Sequence, residues 1–542
     1  MKLAWSGLLI GLTALPAAAI ECEASSHRGE QKGKFDASGE VCFSLPVVGE
    51  NYVSARLTGV TDARLLDDHN RVFRTLVAGG PADGQHTLLF SLPVRQASSL
   101  VLHGEEGASW HFQWQITASH ALAGEAQAQH LPASPQLQKL LRELASGGTT
   151  EAFWQARRLE GTPMVEPIDA HHKRVTFLWR GARSNVYLLG SPGGDSDALF
   201  RLGHSDVWFR SYVVPADTLM QYKLAPDVPK VNGSLREQQR AIQVSAQADP
   251  LNPLSLSQTK ADRWGRSSLL ALPASRFFSA QRMAQPVRYG SLSRHTLRSD
   301  YLNNSREIKI YRPRVAQPAR WTLFLFDGQH WQDEYRTANV IDNLIARHVL
   351  PPINIVFIDS LDHARRGNEL PPNPHFADFM AHEMVPFLQR QGVSLTRQKT
   401  ILAGSSYGGL ASSWVALRYP RLFGNVLSLS GSYWWAPKGE PVNWLARQYA
   451  QSPRYPLRFW LQAGQFESSG PGGGNYRHTL AFEQVLREKG YPVSFHASPS
   501  GHDYAGWSEA LVLGLRDLTG LAHGKPAAPY KTQNKILDSA KH

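Results

Sequence analysis

Residues 399–413 of this chain read KTILAGSSYGGLASS. An apolar strand runs into the pattern G-x-S-x-G, centred on Ser406, and a helical stretch follows it. Glycines are needed because the turn from strand to helix is too tight for side chains beside the central residue. Such a turn lifts the Ser406 hydroxyl above the sheet and directs the amide of Tyr407 toward a developing oxyanion. The stretch therefore predicts a nucleophilic serine, with Tyr407 as one oxyanion donor.

Strand-like and helical stretches alternate on both sides of this turn. Near-continuous apolar strands with helices between them are typical of a parallel sheet that is covered on both faces. The sequence thus predicts an α/β fold, with an α/β-hydrolase catalytic domain over 286–525. The predicted strands are 321–328, 353–359, 399–406, 425–431, 458–464 and 493–501, and the predicted helices lie near 336–347, 375–391, 407–419 and 477–489.

A serine hydroxyl needs a base, and the chain order of this fold is serine, acid, histidine. His502 follows the last predicted strand and precedes the final helix, where the hydrolase histidine is expected. Glu467 comes soon after the strand that ends at Gly464, and it is the predicted acid that orients the imidazole. Asp503, next to the histidine, is the second choice because neighbouring loop side chains usually diverge.

A second oxyanion donor is expected where the strand 321–328 ends. Gly328 and Gln329 occupy this position, and their backbone amides are the predicted donors, with a plain strand-to-helix turn as the alternative. Other chemistries have little support, since the sequence lacks H-E-x-x-H spacing, a phosphate-binding loop, a dinucleotide fingerprint and C-x-x-C. We therefore expect neither a metal nor a cofactor.

The first half of the chain has the pattern of β structure. Because single hydrophobic cores stop growing at roughly 250–300 residues, a chain of 542 residues is expected to form two or three domains. Short alternating segments between turn residues predict a β-sandwich over 20–120, and β signals return over 150–285 for a second sandwich-like domain. We expect a helical linker over 121–149, a mobile loop over 231–247 and a flexible tail over 526–542.

The N-terminus has the features of a secretory signal. A positively charged start precedes an apolar run and three alanines at 17–19, so residues 1–19 are predicted to be cleaved and the mature protein to be periplasmic or secreted. Cys22 and Cys42, the two cysteines of the chain, are expected to form a disulfide there, with two free thiols as the alternative. A lipoprotein anchored at Cys22 is a weaker alternative, because the residues before it are not small.

The charge indicates the kind of ligand. A net charge of +12 suits nucleic acid, a membrane surface or an anionic small molecule. The basic residues are scattered and the chain is predicted to be exported, so an anionic small molecule is favoured over nucleic acid. No stretch beyond the signal is long and apolar enough to be predicted as a membrane span, and the sequence predicts no oligomeric state.

Several motifs together resemble those of a known family, the enterochelin (ferric enterobactin) esterases, within the wider esterase D group. They are LFDGQHW, IDSLDHARRGNELPPN, LAGSSYGGLASSWVALRYPRLFGNVLSLSGSYWW, LQAGQFE and SGHDYAGW. The motifs occur in the family's order over 290–522, and the region 150–280 is similar to the family's N-terminal domain. The first β-domain and the export signal resemble periplasmic or secreted relatives instead.

The resemblance implies roles for residues already singled out. Ser406, Glu467 and His502 would form the triad, although some periplasmic relatives use a Ser–His dyad, and Gly328 and Gln329 would lie near the oxyanion. A segment R-x-x-E-L and a pair of basic side chains would line the substrate pocket, together with the S-Y-W-W motif, whose tryptophans have core packing as the alternative. The implied substrate-binding residues are Arg365, Arg366, Glu369 and Trp434.

The implied reaction is hydrolysis of the serine trilactone of an anionic catecholate siderophore, either iron-bound or iron-free. The iron belongs to the substrate, so the resemblance implies no enzyme cofactor. Two alternatives stay open. One is an exported carboxylesterase that acts on other esters of the feruloyl or acetyl type, and the other is a siderophore-binding protein without catalytic activity.

Overall fold

The computed structural model describes residues 22–46, 51–79, 84–92, 99–118, 130–231, 234–256, 262–275, 290–316, 318–470 and 473–520. The predicted signal peptide and tail lie outside these ranges. The chain divides into two compact units, described separately below. The N-terminal unit comprises 1–123 and 227–245, and the catalytic unit comprises 124–226 and 246–542.

The N-terminal unit contains a four-stranded and a five-stranded sheet, with the strand orders β2-β9-β4-β7 and β1-β3-β8-β5-β6. Side chains alternate between the two faces of β9. Trp110, Phe112 and Trp114 are therefore buried in the core between the two sheets, whereas Gln113 is exposed. The strands are β1 (Glu23–Ala24), β2 (Arg28–Lys34), β3 (Glu40–Ser44), β4 (Asn51–Thr58), β5 (Asp62–Leu66), β6 (Val72–Val77), β7 (Gln85–Leu92), β8 (Ser99–His103) and β9 (Ser109–Ala118).

A disulfide joins Cys22 to Cys42, as predicted. Cys42 lies on β3 and is buried beside Leu66 and Val101, so the bond ties the start of the described chain to the second strand of the five-stranded sheet.

The segment predicted as a mobile loop over 231–247 contains a helix, so that prediction is wrong. Helix α3 (Leu235–Ser245) begins after Ser234, whose hydroxyl accepts from the amide of Glu237 while the Glu237 carboxylate accepts from the amide of Ser234. This reciprocal pair is a capping box. The helix buries Ala241 and Ile242 and packs against β7 of the N-terminal unit.

The catalytic unit begins with helices α1 (Pro135–Ala145) and α2 (Glu151–Glu160), the second of which lies inside the range predicted as β-sandwich. Two four-stranded sheets follow, ordered β10-β11-β15-β14 and β13-β12-β16-β17. Their strands are β10 (Met164–Pro167), β11 (His172–Arg180), β12 (Val186–Ser191), β13 (Gly194–Ala198), β14 (Phe200–Arg201), β15 (Val207–Pro215), β16 (Leu219–Pro226) and β17 (Ser268–Ala271). We call this pair the second sandwich.

An eight-stranded sheet forms the rest of the catalytic unit, in the order β18-β19-β21-β20-β22-β23-β24-β25. β18 and β19 pair antiparallel, and from β21 onward all neighbours are parallel. The predicted α/β-hydrolase architecture with preceding β domains is therefore confirmed. The strands are β18 (Ser291–Ser299), β19 (Asn304–Arg312), β20 (Trp321–Phe326), β21 (Ile353–Ile358), β22 (Thr400–Ser405), β23 (Asn425–Leu429), β24 (Arg458–Gly464) and β25 (Val493–Ser498).

Helices cover both faces of this sheet, which explains why the strands β20 to β24 are almost entirely buried. In β20, Phe324 packs on one face with Leu410, whereas Leu323 and Leu325 pack on the other with Leu511. The helices are α4 (Thr337–Ala346), α5 (His363–Glu369), α6 (Pro374–Asp378), α7 (Val385–Arg390), α8 (Tyr407–Arg418), α9 (Trp444–Gln451), α10 (Gly474–Glu488) and α11 (Tyr504–Leu518). π-helical segments occur at His330–Glu334 and Phe379–Met384, and a short 3₁₀ turn at Arg397–Lys399.

Within the described ranges, none of the helices combines the length and the apolar character that a membrane span needs.

Candidate active site

Ser406 stands at the turn between β22 and α8 with φ 57° and ψ −120°. A Cβ added to Gly404 would lie 2.8 Å from the Cα of Gly408, and one added to Gly409 would lie 2.5 Å from the hydroxyl oxygen of Ser428. These glycines let the first turn of α8 approach the strand, as the motif predicts. Positive φ is costly for a residue with a side chain, so the surrounding packing must hold Ser406 in place.

The backbone of Ser406 is fixed by the end of β23 and the residues that follow it. Its amide donates to the carbonyl of Leu429 at 2.9 Å, and its carbonyl accepts from the amide of Ser432 at 3.1 Å. The hydroxyl oxygens of Ser406 and Ser432 lie 3.2 Å apart. Ser406 is partly exposed, whereas Ser432 is buried. The hydroxyl of Ser406 thus sits at the carboxyl edge of the sheet with access to solvent.

His502 and Glu467 contact each other directly. Nδ1 of His502 lies 2.7 Å from Oε2 of Glu467, and the imidazole packs edge-on against Trp507 at 4.7 Å between ring centroids. A carboxylate only accepts, so Nδ1 donates the proton and Nε2 is the basic nitrogen of the ring. The two residues follow β25 and β24, which are adjacent parallel strands.

Glu467 is buried and surrounded by donors. Its Oε1 accepts from the amide of Gly464 at 2.8 Å and from the hydroxyl of Ser430 at 2.5 Å. Ser430 in turn accepts from the indole of Trp507 at 2.9 Å. Burial acts to raise the pKa of Glu467, but the charge of His502 and these hydrogen bonds outweigh it, so the pKa lies below its ordinary value. The carboxylate is therefore ionised when it faces the imidazole.

Asn475, which sequence reasoning missed, completes this cluster. Its Nδ2 donates to Oε2 of Glu467 at 3.1 Å and lies 3.0 Å from Nδ1 of His502. The residue lies in the first turn of α10, after the glycine-rich stretch. A Cβ added to Gly474, whose φ is +76°, would lie 2.1 Å from the carbonyl oxygen of Glu467. The glycines thus allow the helix start to approach the acid, a role that composition does not reveal.

Asp503, the second choice for the acid, caps helix α11. Its carboxylate accepts from the amides of Ala505 at 2.9 Å and Gly506 at 3.2 Å. Burial raises the pKa of Asp503 to about 6, against the lowering effect of these hydrogen bonds and of the Gln221 backbone. The carboxylate is occupied by backbone donors, whereas that of Glu467 faces the imidazole.

The predicted oxyanion loop lies beside the serine turn. A Cβ added to Gly408 would lie 3.3 Å from the Cβ of Phe326 and 3.6 Å from Oδ2 of Asp327, so the end of β20 approaches the first turn of α8. Gly328 packs so closely on β21 that an added Cβ would lie 2.5 Å from the amide nitrogen of Ile358. The side chain of Gln329 accepts from the amide of Ser360 at 3.1 Å.

An ion pair joins this loop to helix α5. Nε and Nη2 of Arg366 donate to the two carboxylate oxygens of Asp327 at 2.7 and 2.8 Å. Asp327 is buried at φ 59°, and sequence reasoning passed over it although it precedes Gly328. Burial acts to lower the pKa of Arg366, but Asp327 outweighs it and the pKa is raised. The guanidinium lies 5.6 Å from the ring centroid of Tyr407, and Trp434 lies 6.1 Å from the same ring.

The other predicted substrate-binding residues are placed differently. Arg365 is exposed on α5, 3.7 Å from Oδ2 of Asp362. Glu369 is buried, and its carboxylate is occupied by Arg306 at 2.6 Å and Asn304 at 2.7 Å. This ion pair favours a structural role for Glu369.

The two tryptophans of the S-Y-W-W motif also differ. Trp434 is partly exposed beside Tyr407. Trp435 packs against Trp444 on the hydrophobic core, which agrees with the core-packing alternative for this residue.

Among the described residues, no group of three or more His, Cys, Asp or Glu side chains is arranged to hold a metal ion. The groups that the site brings together are the serine, the imidazole, the carboxylate and the backbone amides.

Comparison with known proteins identifies relatives of both parts of the catalytic unit. A family model described as putative esterase matches residues 299–518, and one described as enterochelin esterase, N-terminal, matches residues 174–277. An iron(III) enterobactin esterase of Yersinia enterocolitica is 30% identical over 57% of this chain and 93% of its own length. One of Dickeya dadantii is 29% identical over 68% of this chain and 92% of its own length.

A solved structure supports the same relationship. The enterobactin esterase from Shigella flexneri, crystallised in the presence of enterobactin, is 27% identical, with a TM-score of 0.56 over 68% of this chain and 97% of that chain.

Proposed function

The chain belongs to the iron(III) enterobactin esterase family, and from that membership we propose that it hydrolyses the ester bonds of a cyclic catecholate siderophore through Ser406. One observation carries the proposal: the imidazole of His502 is held at 2.7 Å by the ionised Glu467, at the sheet edge where Ser406 occupies its strained turn. Membership establishes ester hydrolysis as the class of reaction, and the residues and the substrate are our assignment.

In the proposed reaction, Nε2 of His502 takes the proton of the Ser406 hydroxyl as the oxygen attacks a lactone carbonyl. The amide of Tyr407 and the amides of Gly328 and Gln329 are the proposed donors to the oxyanion. The ring ester bond breaks, and the departing alkoxide takes the proton from His502. Water, deprotonated by the same imidazole, then cleaves the acyl-enzyme and restores the serine.

Glu467 is the proposed acid of a complete triad. A Ser–His dyad would need no buried carboxylate beside the imidazole, whereas Glu467 is buried, ionised and hydrogen-bonded to His502. Its role is to keep the proton on Nδ1 and to stabilise the imidazolium that forms when Ser406 is deprotonated. Asp503 is engaged in capping α11, which supports Glu467 over it.

Substrate recognition is assigned to the surface beside Ser406 formed by Arg366, Tyr407 and Trp434. A ferric catecholate is anionic and aromatic, so the guanidinium suits its charge and the rings suit its faces. The net charge of +12 adds a general attraction for such a ligand. Exposed Arg365 contributes through charge.

Ester cleavage also accounts for iron release. In the intact ring the three catechols act as one multivalent ligand with a high effective concentration at the metal. Opening the ring removes this preorganisation, so each catechol dissociates more easily.

Export is the proposed location, periplasmic or secreted. The disulfide between Cys22 and Cys42 fits an oxidising compartment, and the signal features of residues 1–19 agree with it.

The experiment is product analysis after incubation with ferric and iron-free enterobactin, with simple aryl and feruloyl esters as competitors and Ser406→Ala as the control. We expect the linear trimer, the ring plus one water, as the first product. Much faster turnover of aryl or feruloyl esters would show that the substrate is another ester and not the siderophore. Binding without any cleavage by the unmodified protein would indicate a binding protein.

A further inference from the structure

We propose that strand β16 of the second sandwich is a positioning element for the catalytic histidine, so that this sandwich is part of the catalytic apparatus. The strand faces the segment 499–506 with Leu219 and Gln221. This segment carries His502 and includes the start of α11, and it is called here the histidine loop. The inference rests on the proposed role of His502 as the base.

The two faces of β16 pack against different parts of the catalytic unit. Met220, Tyr222 and Leu224 are buried in the core of the second sandwich. Leu219 and Gln221 lie on the opposite face because side chains alternate along a strand. Leu219 is also buried, in a separate cluster with Leu269 and Ala505 of the histidine loop. One face of the strand thus packs its own domain and the other packs the loop that carries the base.

Contacts on both sides of His502 attach the strand to the loop. The amide of Leu219 donates to the carbonyl of Pro499 at 3.1 Å. After the histidine, the side chain of Leu219 packs on Ala505, and the backbone of Gln221 acts to lower the pKa of Asp503. Because the loop is bound before and after the imidazole, its path across the sheet edge is defined by β16.

The second sandwich also contacts the loop that carries Glu467. Phe466 packs against the core of the sandwich, and a Cβ added to Gly194 would lie 3.6 Å from that of Ser469. The acid loop and the histidine loop are in turn joined, since the amide of Phe466 donates to the carbonyl of Ser500 at 3.1 Å. The sandwich therefore supports both partners of the 2.7 Å contact between His502 and Glu467.

A third contact reaches the oxyanion side of the site. The side chain of Gln221 lies near the hydroxyl of Tyr335 and acts to lower its pKa; Tyr335 follows the π-helical segment after Gln329. Tyr335 stacks on Tyr504 of the histidine loop at 4.3 Å between centroids. A single strand thus touches the segments that follow β20 and β25.

Catalytic groups must be held within about 0.5 Å of their productive positions, and a misplacement of about 1 Å can reduce the rate about a hundredfold. Removing the Leu219 side chain leaves the backbone bonds but opens space against Ala505. We expect kcat to fall about tenfold with KM nearly unchanged, because the substrate surface at Arg366 and Trp434 is not altered.

The test compares Leu219→Ala with Leu224→Ala, a matched truncation of a buried leucine on the opposite face of the same strand. The readout is the rate at which a fluorophosphonate labels Ser406, a reaction in which the serine oxygen displaces fluoride and which requires no particular ester. We expect labelling about tenfold slower in Leu219→Ala, within about twofold of normal in Leu224→Ala, and largely restored in Leu219→Met. Near-UV circular dichroism verifies folding, and Leu219→Val serves if Leu219→Ala does not fold.

The outcomes separate the two claims. If the unmodified protein is not labelled, the proposed function fails. If it is labelled and the Leu219 variants react as fast as it does, or if Leu224→Ala is slowed equally, then β16 does not position the histidine and the inference is overturned while the proposed function stands.

Discussion

Glu467 combines burial with ionisation, and this combination makes its contribution to stability depend on pH. Its pKa lies below the ordinary value of 4.5 because His502 and the surrounding donors outweigh burial. A carboxyl whose pKa is lower in the folded than in the unfolded state stabilises the fold above the unfolded pKa. That stabilisation is lost as the pH falls through the folded pKa.

Glu467→Gln should therefore be less stable than the unmodified protein at pH 7, and the difference should shrink as the pH falls below 4.5. Urea unfolding at a series of pH values measures the difference. An equal difference at every pH would contradict the ionised, stabilising carboxylate.

Asn475 shares Oε2 of Glu467 with the imidazole, at 3.1 Å. Asn475→Ala removes one donor of about 1.5–3 kcal/mol to a charged acceptor. We expect kcat to fall about tenfold or more with little change in KM, because the acid is less well oriented, and steady-state kinetics measures this. An unchanged kcat would show that the carboxylate is held sufficiently by Gly464 and Ser430.

For individual residues, the sequence predicts those that belong to a motif or to the known chain order of a fold. Ser406, Glu467 and His502 were selected because each follows a predicted parallel strand, and parallel strands bring their carboxyl ends to one edge. Asn475 and Ser430 belong to no such pattern, since many side chains can donate to a carboxylate. Their identification required the fold.

Among the elements, the contact between α5 and the end of β20 depends on the pair of Arg366 and Asp327. Because Asp327 is buried, Arg366→Ala leaves its carboxylate without a cation, and we expect a loss of about 3 kcal/mol or more. Adding Asp327→Asn should recover much of the stability without restoring turnover of an anionic siderophore. Urea unfolding and kcat/KM measure the two effects.

The matched comparison is the single variant Asp327→Asn. If the double variant is as unstable as Arg366→Ala alone, the buried charge is not the cause of the loss.

Elements differ in how well the sequence predicts them. Apolar strands such as β22 and β24 were found because burial on both faces leaves a continuous signal. Helix α3 was predicted as a loop because its stretch is polar and only Ala241 and Ile242 mark a buried face. The capping box of Ser234 and Glu237 was the available signal for its start.

For the whole molecule, the disulfide belongs to the N-terminal unit and the proposed reacting residues to the catalytic unit. Replacing Cys22 and Cys42 together by serine should destabilise the N-terminal unit by about 3 kcal/mol. We expect kcat to stay within about twofold. Calorimetry and steady-state kinetics on the same samples measure both, and a large loss of kcat would show that catalysis depends on this bond.

Strand and turn patterning predicted β domains ahead of an α/β domain, which the structure confirms, whereas the anionic ligand inferred from the charge stays a prediction. The role of β16 was not predictable, because Leu219 and His502 are far apart in the chain and nothing in either segment specifies the other. Only the packed structure brings Leu219 against Ala505.

The measurement that tests the central claim most directly compares Ser406→Ala with Ser405→Ala on enterobactin. Both positions lie at the same turn, and Ser405 is buried at the end of β22. We predict that Ser406→Ala loses at least about a thousandfold in turnover while still binding the siderophore, as expected when a nucleophile is removed, and that Ser405→Ala stays active. Unchanged cleavage by Ser406→Ala would contradict the account.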